Sequence, residues 1–180
     1  MVRLLVRAGL TPNAISWVGF ILALGAAALI ITEHPFAAGF VVLVAGFFDI
    51  LDGALARRIK KVTPFGSVLD STLDRLSEAA VLLAILVLYA REPAFIPIVL
   101  VCLALIGSLL VSYIRARAEG AGLECGVGLF TRAERVVVLA LGLLLSQVDY
   151  ALLIALGIIV VFSFFTLGQR LVYVWQQTKK

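Results

Sequence analysis

The 180 residues carry a formal net charge of +4, are 63% hydrophobic and only 14% charged. A soluble domain is nearer about half apolar and about a quarter charged, so lipid must solvate much of this chain. The basic residues flank apolar segments instead of forming one soluble stripe, which argues against nucleic acid and for an anionic membrane surface or a phosphorylated ligand.

Residues 1–11 hold Val2, Leu4, Leu5 and Val6 with Arg3 and Arg7, and read as a juxtamembrane stub lying at the membrane surface. A bilayer core takes about 20 apolar residues per helix. Six segments approach that length: 14–32, 36–56, 67–90, 94–114, 133–147 and 150–175. The first is longer than a signal-peptide core of about 7–15 residues, so it reads as a retained helix. The fifth is short and is expected to reach back into 131–135. The connectors on one side, around His34, Arg91 and Asp149, are brief. With the N-terminus inside, fourteen of the 15 Lys and Arg residues fall on the cytoplasmic side and only Arg91 outside. The positive-inside rule then places both termini in the cytosol. The expected fold is an all-α integral membrane protein of the cell membrane. It is one domain, 1–180, with six transmembrane helices, N-in and C-in, and a polar active-site cavity on the cytoplasmic side. His34 is alone in its turn and is no metal site. Cys102 and Cys125 make no disulfide framework.

Chemistry concentrates between the second and third segments. Asp49 and Asp52 are three apart, and Asp70 and Asp74 four apart, so each pair shares a helix face. The short stretch 57–65 makes the two helices antiparallel neighbours whose carboxylates can converge. An ionised aspartate in a membrane helix costs about 2.5–3.5 kcal/mol, and no packing role needs four. A pair of divalent ions about 3.5–4 Å apart would account for them. All-oxygen ligation suits Mg²⁺ or Mn²⁺ over zinc. Salt bridges to Arg57, Arg58 and Arg75 would account for one or two aspartates. An ion or proton pathway would put the acids near mid-membrane, whereas these lie close to the basic cytoplasmic link. Gly53 follows Asp52 in a helix, at a cost of about 1 kcal/mol against alanine, and opens the backbone to a ligand. Ala56 is small on the same face, and Arg57 is suited to a bidentate phosphate contact. Gly66 either serves a ligand similarly or permits close helix packing. The site reads as metals with a phosphate-bearing ligand.

Further along, Ser112-Tyr113-Ile114-Arg115-Ala116-Arg117-Ala118-Glu119, Thr131-Arg132-Ala133-Glu134-Arg135 and Gln169-Arg170 gather arginines near one membrane face. Singly these are topogenic charges or headgroup contacts. Together Arg115, Arg117, Arg132, Arg135 and Arg170 could form a pocket for a phosphorylated ligand.

The run D-x-x-D-G-x-x-A-R followed by G-x-x-x-D-x-x-x-D is complete here as Asp49, Asp52, Gly53, Ala56, Arg57, Gly66, Asp70 and Asp74. It resembles the signature of the CDP-alcohol phosphotransferase family, and with the six-helix layout the resemblance covers essentially the whole chain. The resemblance implies transfer of a substituted phosphate from a CDP-lipid to an alcohol, with release of CMP. It implies that Asp49, Asp52 and Asp70 bind one metal ion and Asp49, Asp70 and Asp74 a second. Asp74 would also be the general base. Asp52, Gly53, Ala56, Arg57, Thr63 and Gly66 would meet the CDP-lipid. Thr11-Pro12-Asn13, which by itself reads only as a helix start, would close on the nucleotide. The phrases S-Y-I-R-A-R-A-E and R-A-E-R look like the phosphatidylinositol-phosphate synthase branch, whose acceptor is inositol phosphate. Ser112, Arg115, Arg117, Arg132, Arg135 and Arg170 would then hold the acceptor's phosphate. The alternatives are a phosphatidylglycerophosphate synthase using glycerol 3-phosphate and, in another class, a cation or proton transporter. The family further implies a homodimer embedded in membrane lipid, and Gly39 and Gly46 would allow helix contact. The stub is shorter than the amphipathic helix that many relatives carry.

Overall fold

The structure, a computed structural model, describes residues 11–59, 63–91 and 95–179, with backbone alone for 50 and 52–59. The stub 1–10 therefore lies outside the described residues. Six helices and no strand are found among those described: α1 Pro12–Ile31, α2 Pro35–Ile59, α3 Pro64–Ala90, α4 Phe95–Gly120, α5 Arg132–Leu144 and α6 Ala151–Thr178. The first three begin on proline, whose missing N–H is not needed in a first turn. Thr11 caps α1 by accepting from the Ala14 N–H at 3.2 Å, and Thr63 caps α3 by accepting from the Gly66 N–H at 3.0 Å.

Helix ends account for the differences from the expected segments. α3 starts at its Thr63-Pro64 cap, ahead of the expected residue 67. α1 stops where Glu33 turns left-handed (φ 65°) and the His34 N–H reaches back to the Leu29 carbonyl at 2.8 Å. α4 runs past residue 114 to Gly120. There Gly122 (φ 76°) lets the Leu123 N–H return to the Ala118 carbonyl at 2.9 Å and the Gly122 N–H to Glu119 at 3.0 Å. Arg115 and Arg117 are consequently helical. α5 does reach back to Arg132, but its 13 residues end at Leu144, where a chain of turns leads to Tyr150 at φ 63°. At 1.5 Å per residue it is about 20 Å long, short of the roughly 30 Å hydrocarbon core. By length and composition α1, α4 and α6 can each cross a membrane.

Contacts gather into two units, Met1–Leu88 and Tyr89–Lys180. In the first, α1 packs on α2. Ala23, Ala26, Ala27 and Ile30 are buried there, as are Ala38, Val42 and Ala45. Gly39 is buried within the chain too. In the second, α6 packs on both α4 and α5. Gly107 lies against Ser163, and Gly142 so close to α6 that an added Cβ would sit 2.5 Å from that of Ala155. Small residues allow this backbone approach. Large apolar side chains such as Trp17, Ile21, Phe40, Phe95 and Phe165 point outward. Large apolar side chains on the outer surface of such apolar helices are the pattern of a protein whose solvent is lipid. Cys102 is exposed and Cys125 buried, and both are free thiols.

Candidate active site

Two helix N-termini lie side by side in the first unit. A Cβ on Gly66 would stand 2.8 Å from Thr63 Oγ1 and 3.1 Å from Asn13 Oδ1. Gly66 therefore lets the start of α3 close on the start of α1, which favours the packing role of the two considered for it. Asn13, Thr63 and Gly66 are together, and Pro12 opens the same turn as Asn13. One turn along both helices, Ser16 Oγ lies 3.1 Å from Asp70 Oδ1 and 3.3 Å from the Pro12 carbonyl. The Ser16 hydroxyl can donate to either oxygen. Contacts in the same order on α1 and α3 mean that these helices run parallel.

The next turn of α1 meets α2. A Cβ on Gly19 would stand 3.0 Å from Asp49 Oδ1. Ser16 and Gly19 share a face and are about 4.5 Å apart along the axis. Carboxylate oxygens from α2 and α3 are thus each set against one turn of α1. Asp74, a further turn along α3, is half-buried. Asp49 and Asp70 are each placed against α1. The expectation had rested on α2 and α3 alone. The side chains of Asp52, Ala56, Arg57 and Arg58, and the surroundings of Gly53, lie outside the described residues. The helical backbone runs through all five. Among the described residues alone, no three acidic, His or Cys side chains close into a metal cage. Arg75 donates to the Ser71 carbonyl of its own helix. Ser16 and Gly19 went unnoticed in the sequence, although a serine and a glycine three apart in an otherwise apolar helix were a visible signal.

The second unit sorts the arginines by burial. Arg115 is exposed and pairs with Glu119 at 2.8 Å within α4, and Arg117 is exposed beside it. Ser112 and Arg132 are half-buried. Arg135 is 1% exposed and Arg170 is 3% exposed. Arg170 Nε donates to the Val127 carbonyl at 2.8 Å and Nη1 to the Val111 carbonyl at 2.5 Å. The described acids of this unit, Glu119, Glu124, Glu134 and Asp149, are all exposed. Its buried charge is therefore positive on balance, and an entering anion would offset the desolvation of the guanidinium groups.

A family model described as CDP-alcohol phosphatidyltransferase matches residues 9–168. The archaetidylinositol phosphate synthase of Methanothermobacter thermautotrophicus is 38% identical over 175 residues, 96% of this chain and 87% of the relative. The phosphatidylinositol phosphate synthase of Mycobacterium tuberculosis is 36% identical over 182 residues, 96% and 83% of the two chains. Crystal structures of that enzyme superimpose with a TM-score of 0.85 with CDP-DAG bound and 0.87 in complex with manganese and citrate. The identities are 34% and 35%, and the matches cover 97% of this chain and 91% and 87% of those chains.

Proposed function

This chain belongs to the CDP-alcohol phosphatidyltransferase family, and we propose that it transfers the lipid phosphate of a CDP-lipid to a hydroxyl of inositol phosphate, releasing CMP. The observation that carries the reading is the placement of Asp49 and Asp70 from two helices against one turn of α1. Asp49, Asp52, Asp70 and Asp74 would hold two Mg²⁺ or Mn²⁺ ions, in keeping with a homologous synthase that binds manganese. Bound there, the ions would neutralise the diphosphate and the departing CMP.

The chain's own residues supply the rest. The N-termini of α1 and α3, at Pro12-Asn13 and Thr63-Gly66, lie side by side and bring two positive dipole ends together. That is a setting for the donor's phosphates. Gly53 and Ala56, as small residues, would leave room on α2 for the donor, and Arg57 would pair with a phosphate. Asp74 takes the proton of the acceptor hydroxyl. The hydroxyl oxygen forms a bond to the lipid phosphorus, and the bond from that phosphorus to the CMP oxygen breaks. Ser112, Arg115, Arg117, Arg132, Arg135 and Arg170 would receive the acceptor's phosphate, and the buried positive charge of Arg135 and Arg170 supports this. We further read 1–180 as one membrane domain. It would form a homodimer of six-span chains with both termini and the active-site cavity on the cytoplasmic side of the cell membrane.

The test offers the purified protein CDP-diacylglycerol, or its ether-lipid counterpart, with inositol phosphate, glycerol 3-phosphate, free inositol and serine in parallel, with Mg²⁺ or Mn²⁺ present. CMP release with inositol phosphate is expected. No release with any acceptor would overturn the transferase reading. Release with glycerol 3-phosphate alone would overturn the acceptor and spare the reaction.

A further inference from the structure

Residues 121–131 join α4 to α5 without helix or strand. Fixing an irregular backbone costs about 1–2 kcal/mol per residue, yet this segment is fastened along its length. Its anchor is one face of α6, where Thr166, Gln169 and Arg170 fall three and four apart. The Phe130 N–H donates to Thr166 Oγ1 at 3.1 Å, the Leu129 N–H to Gln169 Oε1 at 3.3 Å, and Arg170 Nε to the Val127 carbonyl. The Phe130 ring meets Phe162 with centroids 5.4 Å apart.

Gly128 makes the close approach possible. Its φ is 140°, a conformation that L side chains rarely adopt. A Cβ there would lie 2.7 Å from Thr166 Cγ2 and 3.2 Å from Arg170 Nε. The segment then delivers Thr131 as the cap of α5, and the first turn of that helix carries Arg132 and Arg135. Thr166 is fully buried and its hydroxyl oxygen is engaged by backbone, so it acts through the segment and not on a ligand.

We propose that Gly128, Thr166 and Gln169 are positioning residues for the acceptor site. By fixing 127–131 against α6 they set the first turn of α5 and the reach of Arg132 and Arg135. This rests on the reading of those two arginines as groups that hold the acceptor's phosphate.

The experiment measures steady-state CMP release by the full chain with CDP-lipid and whichever phosphorylated alcohol the wild type uses. Thr166→Val keeps the shape and removes the acceptor of the Phe130 N–H. It should raise the acceptor KM about ten-fold, with the CDP-lipid KM and kcat within about two-fold of wild type. Thr166→Ser, which restores the oxygen, should return the acceptor KM to near wild type. In an Arg132→Ala, Arg135→Ala background, Thr166→Val should add less than a two-fold change, because nothing remains to position. Gln169→Leu should follow the same pattern at about three-fold, and it carries the test if Thr166→Val does not fold. A rise shared equally by both substrates, or an undiminished effect in the arginine-free background, would show a merely structural role and overturn the proposal. If Arg132→Ala and Arg135→Ala leave the acceptor KM unchanged, the acceptor reading fails and takes this inference with it. If they raise it and neither Thr166→Val nor Gln169→Leu does, the positioning inference alone fails.

Discussion

The two ends of the chain hold their charged groups in opposite ways. In α1–α3 the carboxylates come from separate helices and rest on a wall of small or weakly polar residues, Ser16 and Gly19. In α4–α6 the buried Arg170 is tied into the backbone, donating to the carbonyls of Val111 and Val127. The first arrangement suits ligands that bring the opposing charge themselves. The second suits a preformed pocket whose shape is set before the ligand arrives. Single substitutions should therefore act on chemistry in the first half and on substrate affinity in the second.

Asp74→Asn tests this most severely. Loss of the base should lower kcat about 10²–10⁴-fold, with CDP-lipid binding by an equilibrium assay retained. Near-normal turnover would remove Asp74 from the mechanism. Gly19→Val comes next. A Cβ there already lies 3.0 Å from Asp49 Oδ1, and the extra methyl groups should push that carboxylate aside. A displacement of about 1 Å can cost about 10²-fold in rate, so kcat should fall while the acceptor KM holds. An unchanged rate would mean that Asp49 has room to move and that α1 is not the wall of the site.

Ser16→Ala should be milder. It removes a hydroxyl within hydrogen-bond distance of Asp70 and leaves the carboxylate in place. Partners of metal-binding carboxylates are worth about 10–100-fold in metal affinity or activity. The Mn²⁺ concentration for half-maximal CMP release should rise, with full activity recovered at high metal. A variant with a wild-type metal requirement would show that Ser16 only closes its own helix onto the Pro12 carbonyl.

The contrast also explains what could be read in advance. The donor end is written locally. Pairs three and four apart fall on one face of any helix, so Asp49, Asp52, Asp70 and Asp74 announced themselves by spacing. The long apolar runs likewise disclosed six helices. Their ends were harder, because Glu33 and Tyr150 adopt a left-handed conformation usually left to glycine. The arginine end is written at long range. Arg170 reaches carbonyls 43 and 59 residues away, and Thr166 and Gln169 meet amides 36 and 40 residues away. No local pattern signals such pairings. Arg170 was legible as a charge near a membrane face but not as a fastening of the 121–131 segment. Gly128 carried no motif at all.

Glu134→Ala should have the smallest effect, for a reason that separates the two ends. Glu134 Oε2 accepts from the Thr131 N–H at 2.7 Å and from Thr131 Oγ1 at 2.6 Å, closing the start of α5. Such a cap is worth about 1 kcal/mol. At the donor end a lost contact reaches a carboxylate oxygen of the proposed metal site directly. Here the first turn of α5 remains fastened through Phe130, Leu129 and Val127 on α6. Thermal unfolding should therefore register about 1 kcal/mol of lost stability, while the acceptor KM rises less than about three-fold and kcat is unchanged. Glu134→Gln keeps an accepting oxygen and should fall between wild type and Glu134→Ala. If Glu134→Ala instead matched Thr166→Val in acceptor KM, the cap and not the α6 anchor would be what aims Arg132 and Arg135.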